Sequence, residues 1–229
     1  SSNAGGNALY LDDKIYRNGL IGMALSGNIG MDTIVAQGCR PIGVPVKISK
    51  CNGTLLTEMD EQPPLELLEK IHEELNENDK RLVQTSLFLG IEMDPLKDNP
   101  QQGDFLIRNI MGADRASGGI QVGAMLREGQ LVQFHLRDKD MSAEDLRLVL
   151  NRYKTEENAK KASGALLFSC LGRGQYLYGK PNHDSDMFRD QLGDIPLGGF
   201  FCNGEIGPVG KTTFLHGYTS SFGIFHPAH

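Results

Sequence analysis

Apolar residues fall in short runs broken by glycine-bearing turns, the pattern of many short strands joined tightly. Leu9-Tyr10-Leu11 and Lys14-Ile15-Tyr16 flank Asp12-Asp13 as a small hairpin. Residues 46–51 and 54–57 form a second about Asn52-Gly53, a pair suited to a type I′ turn with positive φ at both central residues. Further strands are predicted at 86–91, 105–110, 120–125, 131–136, 165–170, 197–202, 213–216 and 219–225. Three segments switch to a helical period instead. Leu65, Leu68, Ile71 and Leu75 follow Pro63-Pro64, with acidic residues filling the opposite face. Ser142 caps a second, with Asp145 three residues on, through Leu146, Val149, Leu150 and Tyr153. Met187, Phe188 and Leu192 make a short third that Gly193 closes. Strands outnumber helices and no regular β-α-β alternation is visible. The expected class is therefore α+β: largely antiparallel sheets with about three helices packed on them in a layered sandwich. A polar, proline-bearing connection spans 94–103.

Length and charge narrow the field. At 229 residues the chain is one large domain or two small ones, able to bury a core without staples. Residues 1–8 read as a cloning scar and flexible lead. Net charge is −6, from 23 Lys and Arg against 29 Asp and Glu, which weighs against a general nucleic-acid binder and against an anionic membrane surface. No apolar run of about 18 residues suggests a spanning helix. Cys39, Cys51, Cys170 and Cys202 are too sparse for a disulfide framework, and none stands in a C-x-x-C pair, so reduced thiols in a cytoplasmic protein are expected.

Several motifs tempt and fail. Gly207-Pro208-Val209-Gly210-Lys211-Thr212-Thr213 ends like a phosphate-binding loop, but Glu205 stands where its first glycine belongs, and a strand follows instead of a helix. Gly172-Arg173-Gly174 lacks the third glycine of a dinucleotide fingerprint, since Leu177 occupies it. Ser26 and Ser169 lie outside any nucleophile elbow. No two histidines stand at i, i+4 on a predicted helix, so no zinc site is written locally.

Three glycine-rich segments carry polar residues in apolar settings: Gln37-Gly38-Cys39-Arg40-Pro41-Ile42-Gly43, residues 166–174, and residues 196–208. Glu205 follows a strand apolar enough to be buried, and a lone buried carboxylate costs several kcal/mol unless it is paired. Arg173 and Arg40 are the natural partners. Neighbouring glycines, Gly204 among them, let backbone N–H groups approach an anion, and Asn203 adds a donor and an acceptor. Cys170 beside Arg173 is either a small buried hydrophobe or an activated thiol. The candidate ligand-binding set is Arg40, Cys170, Arg173, Asn203, Gly204 and Glu205, with no catalytic and no metal-ligating residue among them.

These segments, in this order, resemble the C-terminal half of the FIST family. The resemblance rests on residues 38–43, 168–174 and 199–207, and on His216-Gly217-Tyr218-Thr219-Ser220-Ser221. Residues 9–36 resemble the last strands of that family's N-terminal half, and 37–229 its C-terminal domain. The resemblance implies a sensory domain found with F-box and intracellular signal-transduction modules, binding small ligands in the cytoplasm. Amino acids or related metabolites are the suggested ligands, with haem in some members. On this reading the rest of the N-terminal FIST half and an output module are missing partners, and the protein is not an enzyme.

Alternatives remain open. Haem could sit on His183 or His216. Cys170 could serve a cysteine hydrolase or transferase, although no histidine is placed as its base. A protein-interaction module without a ligand is the last; exposed apolar surface would then favour a homodimer through residues 9–27 or the first sheet.

Overall fold

The structure, a computed structural model, describes residues 5–209 and 212–228. Residues 1–4 of the expected lead, His229, and the middle of the loop-like Gly207–Thr213 run lie outside the described residues. Strands β1 (Leu9–Leu11) and β2 (Lys14–Tyr16) form the expected hairpin, with Asp12 at φ 52°. Then come β3 (Gly30–Ala36), β4 (Arg40–Asn52) and β5 (Leu55–Met59). Helices α1 (Pro64–Glu74) and α2 (Glu77–Thr85) precede β6 (Leu87–Glu92), β7 (Phe105–Asp114), β8 (Gly119–Val122) and β9 (Leu131–Leu136). After α3 (Lys139–Lys154) and a 3-10 turn the chain continues through β10 (Gly164–Cys170), α4 (Gln175–Tyr178), α5 (His183–Leu192), β11 (Leu197–Cys202), β12 (Glu205–Val209), β13 (Thr212–His216) and β14 (Ser220–His226).

Two cores result. Six antiparallel strands close into a barrel in the order β4-β5-β8-β7-β6-β9. Closure removes both sheet edges and lets Ile48, Leu56, Leu89, Val132 and Phe134 meet inside. Leu65, Leu68 and Ile71 of α1 cover the outside of this core with the apolar stripe their spacing predicted. The second core lies under a four-stranded sheet, β11-β10-β14-β3. One of its faces packs Ile34, Phe222 and Ile224 against Leu146 and Leu150 of α3 and Phe188 of α5. On the other face the β12–β13 hairpin comes close enough that a Cβ on Gly207 would lie 3.1 Å from Ser221 Oγ.

The class is α+β, as expected, and the strand positions largely hold. Several details differ for identifiable reasons. The β4–β5 turn is centred on Gly53-Thr54, because Asn52 still pairs with Leu55; only Gly53 takes positive φ (62°), so the turn is not type I′. Among the described residues five helices form instead of three: Asn76 accepts from the N–H groups of Asn78 and Asp79 and starts α2, and Gln175–Tyr178 adds the single turn α4. Asp138, not Ser142, caps α3 by accepting from Met141 N–H. Ser142 instead donates to the Gly38 carbonyl at 2.8 Å, while Asp145 accepts from Gly38 N–H at 2.9 Å. Gly38 (φ 69°) is thus clamped where the chain passes from sheet to barrel, and a Cβ there would lie 2.8 Å from Ser142 Oγ. One β-α-β crossover does exist: β10 and β11 are parallel neighbours joined through α4 and α5. Among the described residues no helix is long and apolar enough to cross a membrane.

Candidate functional site

The crossover that joins the parallel strands β10 and β11 carries α4 and α5 back along one side of the pair and leaves a recess between the strands and the start of α5. That recess is a cavity of about 400 Å³. Leu167, Leu197, Phe200 and Phe201 supply its apolar wall, and Ser169, Asn182, His183, Asp184 and Ser185 its polar end. The polar end is the first turn of α5. Asn182, in the left-handed region (φ 60°), makes no side-chain cap, so the first backbone N–H groups have no acceptor within the helix.

Behind the cavity lies a buried ionic cluster centred on Asp184. Its carboxylate accepts from Arg173 Nε at 2.8 Å and Nη2 at 3.2 Å, from Ser220 Oγ at 2.5 Å and from Ser169 Oγ at 3.4 Å; His183 Nδ1 lies 3.1 Å away. Burial by itself would raise the Asp184 pKa, but His183, Arg173 and Ser220 together hold it well below the usual carboxylate range. Arg173 is 1% exposed; burial disfavours its charge, and the Asp184 carboxylate more than restores it. Tyr178 accepts from Arg173 Nη2 at 2.6 Å and stacks on the His183 ring, with centroids 3.5 Å apart. Ser169 bonds to Asp184, not to a histidine, so the described contacts include no Ser–His nucleophile pair.

The six candidate residues do not share one recess. Glu205 is buried as expected, but neither arginine is its partner: it accepts from Thr219 Oγ1 at 2.7 Å, from Thr219 N–H at 3.4 Å and from the Cys202 thiol at 3.3 Å. Arg173 is taken by Asp184, which the α4–α5 turn delivers, leaving Glu205 to the β14 entry. Arg40 pairs with Asp79 of α2, with Asp138 4.0 Å away, on the barrel side. Asn203 is exposed and Gly204 packs against Leu215, where a Cβ would come within 3.3 Å. Cys170 ends β10, buried. None of the six lines the cavity; Arg173 supports it from behind.

The thiols differ in setting. Burial pushes Cys39 up to about 12; burial and the Glu205 carboxylate do the same for Cys202. His216, a haem candidate by sequence, is buried in the hairpin region: its Nε2 lies 3.0 Å from the Gly207 carbonyl, and its Nδ1 is enclosed without a partner. Among the described residues no cluster of three or more His, Cys, Asp or Glu could hold a metal ion.

Comparison with known families decides the relationship. The FIST C domain matches residues 64–208 and the FIST N domain residues 1–62. The chain belongs to the FIST family. Because the FIST N domain is present, the expectation of a missing N-terminal FIST half is not borne out. Uncharacterized protein Mb0898c of Mycobacterium bovis and Uncharacterized protein Rv0628c of Mycobacterium tuberculosis are each 40% identical over 96% of the chain. F-box/LRR-repeat protein At5g63520 of Arabidopsis thaliana is 25% identical over 87% of it, which is 43% of that protein. The chain spans 57% of the length of the two mycobacterial proteins.

Sequence reasoning missed Asp184 and Tyr178, and weighed His183 only as a haem ligand. The available signal was Asn182-His183-Asp184-Ser185, a polar run with helix-start chemistry placed shortly after Gly172-Arg173-Gly174.

Proposed function

We propose that this FIST chain is a small-ligand-binding sensory domain of a cytoplasmic signal-transduction protein, a receptor and not a catalyst. The observation that carries this reading is the cavity of about 400 Å³, with the uncapped first turn of α5 at its polar end. A helix N-terminus favours negative charge, because its dipole and its free N–H groups point at the ligand. Asp184 does not cancel this preference, since Arg173 neutralises it. The opposite wall is aromatic and aliphatic. The favoured ligand is a short carboxylate with an apolar body, amino acids included, with its carboxylate on the His183–Ser185 turn and its side chain against Leu197 and Phe201. Support for a receptor over an enzyme comes from Ser169 and His183, which are both spent on Asp184. Ligand binding to one conformation would bias an output partner by its differential affinity.

A thermal-shift panel of amino acids and short carboxylates tests the reading. A ligand at 100 times its Kd adds about 2.7 kcal/mol, a rise of roughly 5–10 °C for a chain of this size. Ser185→Glu places a carboxylate in the first helical turn, where the helix tolerates it but an anionic ligand is repelled. A panel without any shift, or a Ser185→Glu chain that responds as the parent does, refutes the proposal.

A further inference from the structure

Cys170 and Cys202 are register partners on the adjacent parallel strands β10 and β11. Their side chains leave the sheet on the same face. Two residues earlier on that face the partners Phe168 and Phe200 meet, their ring centroids 5.3 Å apart. Neighbouring strands lie about 4.8 Å apart, inside the Cα separation that a disulfide spans, roughly 4.4–6.8 Å. The pair also ends both strands, where the chain has freedom to adjust.

Two charged groups flank the pair. Arg137, only 8% exposed, donates to the Gly172 carbonyl at 3.1 Å and lies over the Tyr218 ring at 4.9 Å. Its Nε is buried without a partner, and among the described residues it forms no ion pair. A Cβ on Gly172 would lie 3.4 Å from Arg137 Nη1 and 3.9 Å from Cys170 Sγ, which puts the guanidinium beside that sulfur. On the other side Cys202 Sγ donates to Glu205 Oε1 at 3.3 Å. A cation favours the thiolate on one sulfur, and a carboxylate can take the proton of the other as the pair closes.

We propose that Cys170 and Cys202 form a peroxide-reactive dithiol that closes reversibly into a disulfide, with Arg137 beside the Cys170 sulfur and Glu205 as the proton acceptor for Cys202. The Cys170 thiolate attacks one oxygen of hydrogen peroxide; the O–O bond breaks, a sulfenic acid forms on Cys170, and the departing hydroxide takes a proton to leave as water. Cys202 then gives its proton to Glu205, and its sulfur attacks the Cys170 sulfur. The S–O bond breaks, and the second hydroxide leaves as water with the proton from Glu205. Two thiols and one peroxide become one disulfide and two waters, and an external dithiol reverses the change. This chemistry is independent of any ligand in the cavity.

Peptide mapping of the chain after hydrogen peroxide and thiol alkylation tests it. The expected result is a Cys170–Cys202 cross-linked peptide, two hydrogens lighter than its parts and reopened by dithiothreitol, with Cys39 and Cys51 still alkylated. Cys202→Ser, which can only stop at the first step, traps a dimedone-reactive sulfenic acid on Cys170. Glu205→Gln slows closure at least tenfold, because the attacking thiol has lost its proton acceptor. Alkylation of both thiols after peroxide, a bridge from Cys170 to Cys39, or Cys202→Ser with no dimedone adduct overturns the proposal. A Glu205→Gln chain that closes at the parent rate removes Glu205 from it.

Discussion

Replacing Asp184 by Asn isolates the ionic cluster behind the cavity. Asp184 is the acceptor for two nitrogens of Arg173, a guanidinium whose side chain is fully enclosed, and for the hydroxyls of Ser169 and Ser220. The amide keeps the shape but loses the charge, so Arg173 stays buried without a counter-ion. Breaking a buried pair in this way costs about 3–5 kcal/mol, and a chain of this length loses roughly 2–4 °C in melting temperature per kcal/mol. The midpoint should therefore fall by about 6–20 °C. Removing both charges with Arg173→Met and Asp184→Leu should recover most of that loss, because no unpaired ion remains. Thermal unfolding followed by far-UV circular dichroism at pH 7 measures both. The folded carboxyl is held below its ordinary range, so its contribution is present above about pH 4 and lost as pH falls further; the gap between parent and Asp184→Asn should narrow in acid. A single variant within about 1 kcal/mol of the parent, or a double variant no better than the single, refutes the reasoning.

Three other outcomes follow from the same geometry. His135 is buried against Phe105, on the face of β9 opposite Phe134, with its pKa lowered to about 4, so stability should fall as pH drops from about 6.5 towards 4, by roughly 3 kcal/mol; urea midpoints across that range check it, and His135→Phe should flatten the profile. Gly199 lies so close to its neighbour strand that a Cβ would sit 1.9 Å from the Leu167 carbonyl oxygen. Gly199→Ala should thus cost about 3 kcal/mol in denaturant unfolding and abolish any ligand-induced thermal shift, while an alanine within about 0.5 kcal/mol contradicts the β10–β11 register. Exposed Tyr10, Ile15 and Leu20 around the β1–β2 hairpin predict a concentration-dependent homodimer by sedimentation, weakened by Ile15→Glu; a monomer at every concentration removes that partner.

What the sequence determined by itself was local. Short apolar runs broken by glycine-bearing turns located most strands, because a run that must be buried and a turn that must bend are both decided within a few residues. The 3.6-residue stripe of α1 and the Gly193 stop of α5 were legible for the same reason: each is decided within a few residues. Glu205 was rightly read as buried, since the apolar strand before it leaves no other place for it. Its partner was not legible. Arg173, Arg40 and several carboxylates were all plausible mates in one dimension, and only the crossover of β10 and β11, which swings α5 back over the strand ends, hands Asp184 to Arg173 and leaves Glu205 to Thr219. The closed barrel and the cavity have the same origin: pairing between distant strands is set by how two cores pack together, a long-range balance that no short stretch of residues encodes.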